Sequence, residues 1–179
     1  MIILGIDPGT VYTGFGVVSF EKNKLAYISS GLIKPPKTKE MPLRLKTIYE
    51  EIDKIIKTFT PDEFALETAF YGKNVQSTMK IGYARGVAML AAAKNDLHTA
   101  EYSPRTVKQS VVGRGAASKE QVQFMVLKLL AVPHEKKIRY DETDALAVAI
   151  CHAFRKNLPA GKKGSWKEFL ENNPDRVKE

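Results

Sequence analysis

The chain opens on an unbroken apolar run, Ile2 to Ile6, that stops at Asp7-Pro8-Gly9. Continuous apolarity ended by turn residues predicts a central strand covered on both faces, with Asp7 at its end. Thr13 to Phe20 and Leu25 to Ile33 are rich in branched and aromatic residues and are separated by the polar Glu21-Lys22-Asn23-Lys24. With the first strand they predict an antiparallel meander. Beyond Pro35-Pro36 the spacing changes: Leu43, Leu45, Ile48, Ile52, Ile55, Ile56 and Phe59 recur near the helical period. This predicts a helix over 42–59 that covers one sheet face.

Glu63-Phe64-Ala65-Leu66-Glu67 reads as a short strand that again ends on a carboxylate, followed by a helix from Val75 to Lys94 and a strand from Leu97 to Tyr102. Ser118-Lys119-Glu120-Gln121 has the S-x-x-Q form of a capping box and predicts a helix start. A last helix is expected from Asp141 to Lys156. The fold class is therefore α/β, with a five-stranded mixed sheet flanked by helices. Residues 1–156 form the expected domain. Residues 157–179 begin with the linker-like Asn157-Leu-Pro-Ala-Gly-Lys-Lys-Gly and form a basic tail without an assigned role, in which Trp166, Phe169 and Leu170 suit a short docked helix.

Composition narrows the class. At 179 residues the length suits one domain and a short extension. With 44% hydrophobic and 27% charged residues the chain can bury a core, which excludes wholesale disorder. The 28 Lys and Arg against 20 Asp and Glu give a formal charge of +8, which favours a polyanionic partner. The single cysteine, Cys151, excludes an intrachain disulfide and a cysteine zinc cluster, and reads as a buried helix residue. The opening lacks a basic signal-type region, and the apolar run Val87 to Ala93 is too short to span a bilayer. A cytoplasmic protein with no membrane partner is expected.

Asp7 and Glu67 both terminate apolar strands, where a sheet delivers side chains to a common site. Asp141 and Asp144 lie three apart at the start of an otherwise apolar helix and share a face. Carboxylates gathered closely raise one another's pKa unless a cation neutralises them, and oxygen donors suit magnesium or manganese rather than zinc. Two such ions, roughly 3.5 to 4 Å apart, support in-line phosphodiester displacement. Taken singly, Asp7 could begin a turn and Asp141 and Asp144 could only cap their helix. Glu67 has no cap to make.

Gly5-Ile-Asp-Pro-Gly-Thr, Glu67 with Phe70 and Lys73-Asn74, Ala84-Arg-Gly-Val, Val107-Lys-Gln, Val111-Val-Gly and Asp141-x-x-Asp-Ala-Leu-Ala, in this order, resemble the RuvC family of bacterial Holliday junction resolvases from residue 1 to about 154. The resemblance implies an RNase H-like fold, a homodimer, and magnesium-dependent paired nicking of a four-way DNA junction that leaves 5'-phosphate and 3'-hydroxyl ends. Manganese is a candidate substitute, with two ions per site. By position, Asp7, Glu67, Asp141 and Asp144 match the family's catalytic, metal-binding carboxylates. Lys108 and Lys119 match basic positions near DNA, with Arg105 and Arg114 in the same segment; Phe70 matches an aromatic that stacks on bases, with Tyr71 and Lys73 beside it. The small residues of 75–94 match a dimer-interface helix. A RuvA–RuvB branch-migration complex is a candidate partner.

His98, His134 and His152 show no metal-ligand spacing and are assigned no catalytic role. Three alternatives remain: an RNase H-like nuclease acting on other structured nucleic acid, a non-catalytic junction-binding module, and an actin-like ATPase. The last needs a second domain and lacks the P-loop spacing.

Overall fold

The structure is a computed structural model that describes residues 1–38, 40–68, 75–132 and 137–156. Its elements in chain order are β1 (Ile2–Asp7), β2 (Thr13–Glu21), β3 (Lys24–Ile33), α1 (Met41–Phe59), β4 (Glu63–Glu67), α2 (Val75–Lys94), β5 (Thr99–Tyr102), α3 (Pro104–Val112), α4 (Lys119–Leu129) and α5 (Tyr140–Lys156). The sheet order is β3-β2-β1-β4-β5, with β1 to β3 antiparallel and β1, β4 and β5 parallel. The apolar β1 is the middle strand, as expected of a run that must be covered on both sides. Lys22 and Asn23, both at positive φ (48° and 64°), form the two-residue turn that closes the β2–β3 hairpin.

Strand alternation sorts the core into two layers. Leu4 and Ile6 of β1, with Phe64 and Leu66 of β4, face α1 and α2; Ile3 and Ala65 face α3, α4 and α5. By the same alternation Asp7, Glu63 and Glu67 lie on the α5 face. Helix α5 is buried almost all round from Ala145 to Ala153, because it lies flat on the sheet under α3 and α4. Two glycines let it approach: a Cβ at Gly5 would collide with the Ala145 carbonyl, and one at Gly14 with the Asp141 carbonyl.

Helix α3 was not anticipated. Pro104 opens it, Ser103 caps it by accepting from the Thr106 N–H at 3.1 Å, and Gly113 at φ 80° ends it. Only Val107 and Val111 mark its buried face, too few positions to show a period. The capping box at Ser118 is formed in full. The strand expected over 97–102 begins two residues later, at Thr99, since Asn95 to Leu97 close the end of α2. The expected tail, 157–179, lies outside the described residues. Among the described residues no helix is long and apolar enough to cross a membrane.

Candidate active site

Because β1 and β4 run parallel with Ile6 opposite Leu66, the next residue on each, Asp7 and Glu67, emerges at the same rim of the sheet. The N-terminus of α5 lies over that rim, since Asp141 is the close neighbour of Gly14, which pairs with Asp7 across β1 and β2. Three separate elements thereby deliver four acids to one edge.

The acids are not equivalent. Glu67 donates a hydrogen bond to Asp7, so the pair shares a proton. Burial, then the charge of Asp144, pushes Asp7 up to about 7; burial, then the charges of Asp7 and Asp144, pushes Glu67 up to about 9. Asp144 is also raised, first by burial, although Lys119 opposes the shift by donating to its Oδ2 at 3.2 Å. Asp141 acts on Asp7 and Asp144 through its charge. The adjacent Glu142 turns away and accepts from the Ser30 hydroxyl at 3.0 Å. Among the described residues, no three His, Cys, Asp or Glu side chains are drawn tightly enough to cage a metal ion. The arrangement is a hydrogen-bonded pair, Asp7 and Glu67, with Asp141 and Asp144 in electrostatic reach.

This donor set fits a hard divalent cation. It offers carboxylate oxygens, and an acid pair that keeps a proton is one from which a divalent ion can displace it.

Basic residues flank the acids on one side. Lys119 is held above its ordinary pKa against the opposing effect of burial, by Asp144 first and then Asp7 and Asp141. Arg105, Lys108 and Arg114 line a hollow of about 640 Å3 between α3 and the loop that follows it. Gln109 shapes that loop: its Nε2 donates to the Gly113 carbonyl at 2.7 Å and its Oε1 accepts from the Gly115 N–H at 3.1 Å. Neither this clamp nor the Arg139 guanidinium, 5.7 Å from the centroid of the Tyr12 ring, was legible from spacing, because both depend on where loops fold back. Phe70, Tyr71 and Lys73 lie outside the described residues.

A mixed sheet in this order, with acids ending β1 and β4 and others opening the helix across them, defines the RNase H-like class. A family profile described as "Crossover junction endodeoxyribonuclease RuvC" matches residues 3–152. A relative of that name from Porphyromonas gingivalis is 42% identical, over 99% of this chain and 97% of its own length. Another from Histophilus somni is 51% identical over 85% of this chain and 79% of its own. The Thermus thermophilus RuvC solved in complex with a Holliday junction substrate superimposes with a TM-score of 0.80 at 30% identity, covering 87% of this chain and 94% of that one. The chain belongs to the RuvC family.

Proposed function

We propose that this protein is an endonuclease that resolves four-way DNA junctions by paired nicks, through hydrolysis that depends on magnesium, with manganese as a substitute. The observation that carries the reading is the Asp7–Glu67 pair: in a family of junction endonucleases, a chain with eight excess positive charges brings two hydrogen-bonded acids, both pushed well above their ordinary pKa, to one rim of its sheet.

Asp7, Glu67, Asp141 and Asp144 are the residues that would hold the ions. When bound, divalent ions activate a water and stabilise the leaving oxygen. The protein's own groups do the rest. Lys119 fixes Asp144 through its hydrogen bond and offers a positive charge beside the acids, so a phosphodiester can approach without facing uncompensated negative charge. Arg105, Lys108 and Arg114 would bind flanking phosphates and make binding salt-sensitive. Phe70, Tyr71 and Lys73 are proposed to meet the bases and backbone at the branch point.

A homodimer is supported by α2. Ala84, Ala88, Ala91 and Ala92 pack it onto the protein, while Val75, Met79, Tyr83 and Leu90 stand exposed on its other side, with open space around Gly82 and Gly86. A two-fold dimer through that face would present two identical sites to two equivalent strands.

The test is a labelled four-way junction and a matching linear duplex, each incubated with magnesium or with chelator, and read on a denaturing gel. Symmetric nicks on the junction that need the metal are expected. Equal cutting of the duplex, or nicking in chelator, contradicts the reading.

A further inference from the structure

A second cationic cleft lies on the far side of the loop that follows β1. Thr10, Tyr12, Lys34, Pro36, Lys37 and Arg44 line a hollow of about 100 Å3, with Arg44 rising from the first turn of α1 and the lysines from the segment after β3. The hollow has no acidic lining residue among the described residues. Among the described residues none of its three cations forms an ion pair. The Arg44 Nε is also buried without a hydrogen-bond partner among the described residues, an arrangement that costs free energy. Arg85, the other arginine with an unpartnered Nε, has Glu101 against its guanidinium. Among the described residues Arg44 has no such acid.

The cleft is continuous with the acidic rim. Thr10, Val11 and Tyr12 form one wall of this hollow and also one wall of its neighbour, whose opposite side carries Asp141 and Lys80. A strand lying across the acids and over this loop would reach Arg44 next. Guanidinium and ammonium donors without counter-charges are suited to a phosphate oxygen.

We propose that Arg44, Lys34 and Lys37 form a second backbone-phosphate site, which holds the nucleic-acid strand after it crosses the Thr10–Tyr12 loop away from the acids. The inference rests on the nuclease reading for the identity of the polyanion, and on the unpaired cations and the shared wall for the site itself. It adds a contact surface on the side of the acids opposite Arg105, Lys108 and Arg114.

The test measures DNA binding in chelator across a range of salt for the wild type, the double variant Lys34→Gln/Lys37→Gln, Arg44→Gln, and a control pair, Lys22→Gln/Lys24→Gln, at the β2–β3 turn. For the Lys34/Lys37 pair, the plot of log affinity against log salt should be shallower by about two and affinity weaker by roughly tenfold. Arg44→Gln should lose affinity in the same direction, while the control pair stays near wild type. Bound plain duplex should protect Lys34 and Lys37 of the wild type, but not Lys22 and Lys24, from acetylation. Variants indistinguishable from the control pair, or unprotected lysines, overturn the proposal, as does a wild type that binds no DNA. Protection by duplex without any preference for junctions would instead count against the junction reading and leave the cleft standing.

Discussion

Glu63 and Glu67 open and close the same five-residue strand, lie on the same face, and meet opposite ends of α5. Glu63 is answered from within the chain. It is paired with Lys156, contacts His152 Nε2 at 3.2 Å, and the other ring nitrogen of His152 meets the Tyr102 hydroxyl at 2.8 Å. Glu67 instead faces other acids, Asp7 and Asp144, with Lys119 opposing them through its charge. The basic last turn of α5 supplies Arg155 and Lys156 at one end, whereas its first turn supplies Asp141 and Glu142 at the other. The fold answers one half-buried glutamate with its own lysine and gathers carboxylates around the other on that strand. On the function proposed above, the first is architecture and the second is kept for a cation from outside.

The largest expected contrast lies in catalysis. Asp7→Asn or Glu67→Gln should slow metal-dependent junction nicking by roughly a thousandfold or more while junction binding persists, because each swap removes a carboxylate proposed to hold the metal with little change of shape. Glu63→Gln should leave nicking within a few-fold of wild type. Equal losses at both ends of β4 would erase the contrast.

Next in size is the placement of α5. Gly14→Ala drives a methyl into the Asp141 carbonyl and must lift the start of the helix. Nicking should fall by roughly a hundredfold, since small misplacements of catalytic groups are costly, with a lowered Tm alongside. Unchanged activity would show that the position of Asp141 is unimportant.

Stability should show the reverse pattern. Glu63→Gln leaves Lys156 and the buried His152 without their acid and should cost about 1 to 2 kcal/mol, a Tm decrease of several degrees. Glu67→Gln should stabilise the metal-free protein at alkaline pH. The sign follows from linkage: the folded state holds protons on Asp7 up to about pH 7 and on Glu67 up to about pH 9, whereas the unfolded chain releases them near ordinary carboxylate values. Stability from this pair is fully present in acid and is lost as pH rises through that window. Melting curves from pH 5 to 9 in chelator, in steps of about one unit, should therefore fall more steeply for wild type than for Glu67→Gln.

What the sequence disclosed followed from how locally each feature is encoded. The Ile2–Ile6 run, the S-x-x-Q box and the 75–94 helix are patterns of neighbouring residues, and the structure has each in place. The placement of Asp7 and Glu67 was legible because a strand's period of two fixes which face its last residue takes. The short α3, with two buried positions, had too little pattern to read. The proton shared by Asp7 and Glu67, the Gln109 clamp and the Glu63–His152–Tyr102 chain join parts of the sequence that only the folded sheet brings together. No spacing rule could have shown that Glu63 is satisfied and Glu67 is not.

The most direct test of the central claim is a calorimetric titration of manganese into the wild type and the Asp7→Asn variant at pH 8, repeated in buffers of different ionisation heat. The pair that retains a proton must give it up to a metal, so wild type should bind with release of about one proton per site, and the variant should bind far more weakly. Binding without proton release, or equal binding by both proteins, would contradict the assignment of Asp7 and Glu67 as a cation seat.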